Sequence, residues 1–94
     1  MVELAQSKQA EAVTVLDMRR AGLLTDYFIL CSGTSARQVT AIADAMCEGA
    51  KDAGHAVRHV EGYHDAQWVL VDCGGAVAHI FTPLMRQFYD LEHL

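Results

Sequence analysis

The apolar positions of this chain follow two rhythms. Around Ala12 to Asp17, Val57 to Glu61, Gln67 to Cys73 and Ala76 to Phe81 they form short blocks or alternate with other residues. Short β-branched runs bounded by Gly or Asp predict strands. Asp26-Tyr27-Phe28-Ile29-Leu30-Cys31 is apolar almost throughout, as a central strand covered on both faces would be. From Ser35 the period changes. Val39, Ile42, Ala43, Met46 and Ala50 fall on one side of a helix. Ser35 and Gln38 have capping-box spacing at its start, and Gly54 stands where a C-terminal cap belongs. A last helix opens at Thr82-Pro83, with Thr82 as N-cap, and runs to about Leu94 with Leu84, Phe88 and Leu91 as its core stripe. Residues 2–10 read as a short helical lead-in, Met18 to Thr25 as a polar connection, and Gly62 to Ala66 as a loop. The predicted order is β-β-α-β-β-β-α. It describes an α/β domain with a mixed β-sheet of about five strands and flanking helices.

Gly74-Gly75 between two strand patterns predicts a hairpin. A two-residue turn there pairs Asp72 with Val77, Leu70 with His79 and Trp68 with Phe81. Those six side chains then share one face, because side chains alternate across a strand. Val69, Val71, Ala78 and Ile80 form the other face, which reads as plain core. The first face mixes the only Trp with a Phe, a His and an Asp, and Tyr89 could extend it. Aromatic residues of this kind anchor protein interfaces. They serve equally well as core beneath the last helix.

With 94 residues, 52% of them apolar and 20% charged, the chain reads as a single ordered domain, 1–94. No apolar run approaches the roughly 20 residues of a membrane span, and the first residues lack the basic and apolar regions of a signal peptide. The expected location is cytoplasmic. Seven basic against twelve acidic residues give a net charge of −5, which disfavours phosphate-rich partners. Arg19-Arg20 is the only adjacent basic pair. The acidity serves solubility or complements a basic protein partner.

The groups that could carry chemistry are few. His55, His59 and His64 are close in sequence, but no Cys or carboxylate completes a tetrahedral metal set, and ordinary surface histidines explain them. Cys31 and His79 could be a nucleophile and its base, but Cys31 lies inside an apolar strand, where a thiolate is disfavoured. Ser32-Gly33-Thr34-Ser35 could hold a phosphate on free amides, or it is a capped strand-to-helix turn without either glycine-rich nucleotide fingerprint. Cys31, Cys47 and Cys73 read as reduced thiols. No enzyme, cofactor or metal site is expected.

Several stretches, taken in order, resemble one family. They are Asp26 to Ser35, Arg37-Gln38-Val39 with Ile42-Ala43-Asp44, Glu61-Gly62, Trp68 to Asp72 with Gly74, His79-Ile80-Phe81, and Arg86 to Glu92. Across about residues 12–93 the chain resembles the ribosomal silencing factors, RsfS, also called the Iojap family. The resemblance implies a domain related to the nucleotidyltransferase fold without that activity. It implies binding to the large ribosomal subunit through ribosomal protein L-fourteen, with steric exclusion of the small subunit and repression of translation. Organellar relatives act in ribosome assembly, which is the alternative role, and a homodimer is possible. By position, Trp68, Asp72, His79 and Tyr89 match family residues on or near the contact surface, and Phe81, Arg86 and Leu91 match neighbouring motif positions. Gly75 departs from the Asp that the family commonly carries.

Overall fold

A helix, two of the strand patterns and a glycine turn determine most of the architecture, seen in a computed structural model that describes residues 10–20 and 25–88. Residues 2–9 of the predicted lead-in at 2–10, part of the connection around Gly22, and Tyr89 and Leu91 lie outside the described residues. The strands are β1 (Glu11–Asp17), β2 (Tyr27–Ser32), β3 (His59–Glu61), β4 (Trp68–Asp72) and β5 (Ala76–Phe81); the helices are α1 (Ala36–Asp52) and α2 (Pro83–Phe88). They form one five-stranded sheet in the order β1-β2-β5-β4-β3. Only the β2–β5 pair is parallel; the other three pairs are antiparallel. The mixed sheet and the element order agree with the sequence.

The hairpin has the expected register. Trp68 pairs with Phe81, Leu70 with His79 and Asp72 with Val77. Cys73 N–H donates to the Ala76 carbonyl at 2.9 Å, closing the turn over Gly74-Gly75, and Asp72 Oδ1 accepts from the Gly74 amide at 2.8 Å. The Gly75 carbonyl accepts from the amides of Asp26 and Tyr27, each at 3.1 Å, which ties the turn to the start of β2.

The helix α1 begins as its sequence suggests. Ser35 is the N-cap and its Oγ accepts from Gln38 N–H at 3.2 Å. The Gln38 side chain reaches back, its Oε1 accepting from Thr34 N–H at 2.6 Å, one residue earlier than in an ordinary capping box. The helix ends in a Schellman arrangement: His55 N–H donates to Ala50 O and Gly54 N–H to Lys51 O, with Gly54 at φ +80°. Its stripe of Val39, Ile42, Ala43, Met46 and Ala50 is buried on one sheet face against Ile29, Cys31, Val69, Val71, Ala78 and Ile80. The side chains of Val69, Val71, Ala78 and Ile80 are fully buried, as expected of plain core.

Thr82 stands directly before α2 and its carbonyl accepts from Arg86 N–H at 3.0 Å, as an N-cap does, while its hydroxyl donates to Gln67 Oε1 at 3.2 Å. Two expectations need correction. The third strand is His59–Glu61 and not 57–61, because Val57 packs at the margin of the α1 core instead of continuing the edge. Leu84 is not core: it is 73% exposed. The sheet-facing side of α2 is held by Arg86, two positions later. Two helical residues turn the chain by roughly 200°, so a helix that points Arg86 at the sheet points Leu84 away.

Candidate functional site

The register fixes what lies on the face opposite α1. Thr14 and Leu16 of β1, Phe28, Leu30 and Ser32 of β2, Val77, His79 and Phe81 of β5, Trp68, Leu70 and Asp72 of β4, and His59 and Glu61 of β3 all share it. Burial is graded across this face. On the two central strands Leu30, Ser32, Val77, His79 and Phe81 are buried. On β4, Trp68, Leu70 and Asp72 are half-buried, and on β3 His59 and Glu61 are exposed. The solvent-facing part is therefore an apolar row, Trp68 and Leu70, continued by Asp72 and rimmed by a polar contact in which His59 Nε2 lies 2.8 Å from Glu61 Oε1. An apolar centre with a polar rim is the anatomy of a protein interface.

The aromatic side chains are interlocked. Trp68 and Phe81 have ring centroids 5.1 Å apart, Phe28 meets His79 edge-on at 4.8 Å, and His79 lies 5.8 Å from Trp68. The Trp68 indole N–H donates to His79 Nδ1 at 3.0 Å. An indole nitrogen only donates, so Nδ1 carries no proton and the neutral ring holds it on Nε2. That atom is buried without a hydrogen-bond partner. Burial pushes the His79 pKa down to about 4, so the ring is neutral near pH 7.

The sequence-derived site residues separate by position. Trp68 and Asp72 stand on the half-open row, while the Asp72 carboxylate also fastens the hairpin turn. Phe81, 1% exposed, lies beneath Trp68 and has almost no surface to offer. Arg86 points into the domain. Its guanidinium donates to the Ala12 carbonyl, to Ser32 Oγ at 3.3 Å and to Thr14 Oγ1 at 3.1 Å. It thereby clamps α2 to the irregularity between Glu11 and Thr14, where Ala12 has φ +50°. Tyr89 and Leu91 fall outside the described residues. Sequence reasoning left out Leu70, Glu61 and His59. Leu70 was already on the predicted face, but the two β3 residues become visible only once β3 is registered against β4.

The other candidate chemistries find little support in the geometry. Cys31 is fully buried and its thiol is pushed up to about 11, mainly by desolvation, so it is no nucleophile. At the Ser32–Ser35 turn the amides of Gly33, Thr34 and Gln38 are committed to Phe81 O, Gln38 Oε1 and Ser35 Oγ, which leaves a poor phosphate cradle. His59 pairs with Glu61, and the His64 ring stands edge-on to Tyr63. Arg19 is held by Asp17 at 2.6 Å and lies over the Tyr27 ring, so Arg19-Arg20 makes no basic patch. No helix among the described residues is long and apolar enough to cross a membrane.

Comparison with known proteins points one way. A ribosomal silencing factor of Bacillus subtilis, RsfS, is 44% identical over 87 residues, covering 93% of this chain and 74% of that protein. The RsfS of Halalkalibacterium halodurans is 40% identical over 93 residues, covering 99% of this chain and 80% of that protein. A crystal structure of protein CV0518 from Chromobacterium violaceum superimposes with a TM-score of 0.96 at 33% identity, covering 98% of this chain and 77% of that one. The family model described as "ribosomal silencing factor during starvation" matches residues 1–94, and the chain belongs to that family, RsfS.

Proposed function

We propose that this protein docks on the large ribosomal subunit through ribosomal protein L-fourteen and, once bound, blocks the approach of the small subunit and so represses translation. The observation that carries this reading is the Trp68–Leu70–Asp72 row of β4: an aromatic anchor half open to solvent, on the sheet face that α1 leaves uncovered, bordered by Glu61. Trp is the residue type most often found as a binding hot spot. The carboxylates of Asp72 and Glu61, on a chain of net charge −5, suit a basic ribosomal protein. The action is by occupancy, with no reaction to catalyse. Phe81 and Arg86 serve it from beneath, by supporting the anchor and the sheet, and Tyr89 and Leu91 join the proposal through their match to family positions alone.

Co-sedimentation with purified large subunits, small subunits and joined ribosomes tests the reading. Binding to large subunits alone, with fewer joined ribosomes as protein is added, is the expected outcome. Trp68→Ala weakens that binding by about 2 kcal/mol or more, roughly thirtyfold, while circular dichroism still reports a folded sheet. Binding restricted to immature subunits, with no effect on the joining of mature ones, would establish the assembly role instead. Full-strength binding by a folded Trp68→Ala protein would remove β4 from the interface.

A further inference from the structure

His79 is 5% exposed, so it has almost no surface to give to a docking partner. Yet it sits at the centre of the face, paired across the sheet with Leu30 on one side and Leu70 on the other. It is enclosed by Phe28 at 4.8 Å and lies nearly parallel to Phe81, at 11° and 6.1 Å. Only one of its ring nitrogens has a partner. Nδ1 accepts the Trp68 indole proton, and Nε2–H is buried with nothing to receive it. A buried donor without an acceptor costs stability. An apolar ring of the same size would avoid that cost if packing were the only requirement. What the imidazole supplies and an apolar ring cannot is the acceptor at Nδ1.

We propose that His79 is a positioning residue: as the neutral Nε2–H tautomer, it holds the Trp68 indole in a single orientation on the docking face. It acts through Trp68 and not by touching the partner. The proposal rests on the docking reading above and deepens it. An anchor fixed before encounter loses less side-chain freedom on binding, and the saving per immobilised side chain corresponds to roughly threefold to tenfold in affinity.

Trp68 is the only Trp in the chain, so the indole proton resonance and the tryptophan emission come from this side chain alone. The test uses the full chain, the variants His79→Phe and His79→Asn, and purified large subunits. Phe keeps a ring but removes the acceptor. Asn gives up most of the ring but can place its amide oxygen near the position of Nδ1. In the wild type, nitrogen chemical shifts at pH 7 should show a bare Nδ1 and a protonated Nε2, and the indole proton should exchange slowly. His79→Phe should speed that exchange at least tenfold and weaken large-subunit binding by about threefold to tenfold. His79→Asn should recover part of both. A proton found on Nδ1, or a folded His79→Phe protein with unchanged exchange and unchanged binding, overturns the proposal. Should His79→Phe not fold, the tautomer and the His79→Asn protein still decide it. Failure of the wild type to bind large subunits refutes the docking reading itself, and is distinguished from failure of the positioning role, in which the wild type binds and His79→Phe binds equally well.

Discussion

Gly62→Ala tests the loop that delivers Trp68 to the surface. Gly62 has φ +76°, and a Cβ placed on it would stand 2.1 Å from the backbone oxygen of Trp68, where real Cβ contacts do not fall below 3.0 Å. Two costs therefore add. A left-handed conformation costs a non-glycine residue about 1 kcal/mol or slightly more. The contact also forces the loop and the first residue of β4 apart by roughly 1 Å, against a loop closed by the Ala66 N–H to Gly62 O hydrogen bond at 3.0 Å. Moving packed backbone by that much costs about 2–3 kcal/mol, in the range of overpacked cores. The sum is about 3–4 kcal/mol. Gly54→Ala isolates the first cost, because Gly54 has φ +80° and nothing within 4 Å of its would-be Cβ. It should lose only about 1 kcal/mol. In a domain of this size those losses lower Tm by roughly 12–30 °C and 4–8 °C respectively. Urea denaturation followed by circular dichroism and by emission of the single Trp measures both variants. The native emission of Gly62→Ala should also shift, because the displaced carbonyl belongs to Trp68. Equal losses for the two variants, within about 0.5 kcal/mol, would refute the close approach and the reasoning built on it.

Two further outcomes follow from the buried polar groups of the face opposite α1. Arg86→Met removes the donor to Ala12 O, Thr14 Oγ1 and Ser32 Oγ, the last on a residue only 4% exposed; it should cost about 2–4 kcal/mol in urea denaturation, with Arg86→Lys recovering only part because an ammonium lacks the planar fork, and a loss below about 0.5 kcal/mol would show the clamp to be dispensable. His79 makes stability depend on pH: its pKa falls from 6.5 to about 4 on folding, so between those values the unfolded chain binds more protons, and the contribution present above pH 6.5 is lost as pH falls toward 4, by roughly 2–4 kcal/mol. Titration of unfolding free energy from pH 7 to pH 4, in wild type and His79→Asn, measures it, and identical slopes would refute the assignment to His79.

How much of this was legible in the sequence depends on how local the determining physics is. The hairpin register follows from Gly74-Gly75 and two alternating runs, so the shared face of Trp68, Leu70, Asp72, Val77, His79 and Phe81 could be read in advance. The start of α1 and its buried stripe were equally local. The strand order was not. β2 and β5 are parallel neighbours separated by more than forty residues, and nothing in either run specifies the other as its partner. The position of β3 beside β4, which brings Glu61 and His59 to the surface row, was hidden for the same reason. Leu84 misled because spacing identifies residues that share a helix side without saying which side meets the sheet. A charged residue decided that instead, since the Arg86 guanidinium had hydrogen bonds to make at β1 and β2. The dual position of Asp72, half-buried on the β4 row and bonded to the Gly74 amide, likewise needed atomic distances.

The two faces of the sheet divide the work of a small domain. Against α1 the contacts are apolar throughout, from Val39, Ile42 and Met46 to Val69, Val71 and Ile80, and this is where burial supplies stability. On the other face, Ser32 and His79 are buried polar side chains, and each is bonded to a group nearer the rim: Ser32 to Arg86, His79 to Trp68. Such groups add less to stability than apolar ones of the same size, and the orphaned Nε2–H of His79 subtracts from it. Their common property is direction. A hydrogen bond fixes the orientation of its partner, whereas an apolar contact tolerates rotation. A face built only for stability would have been filled as the α1 face is. Polar residues buried here, beneath the one row that combines Trp68 with Asp72, are accounted for if the orientation of that row matters to what binds it.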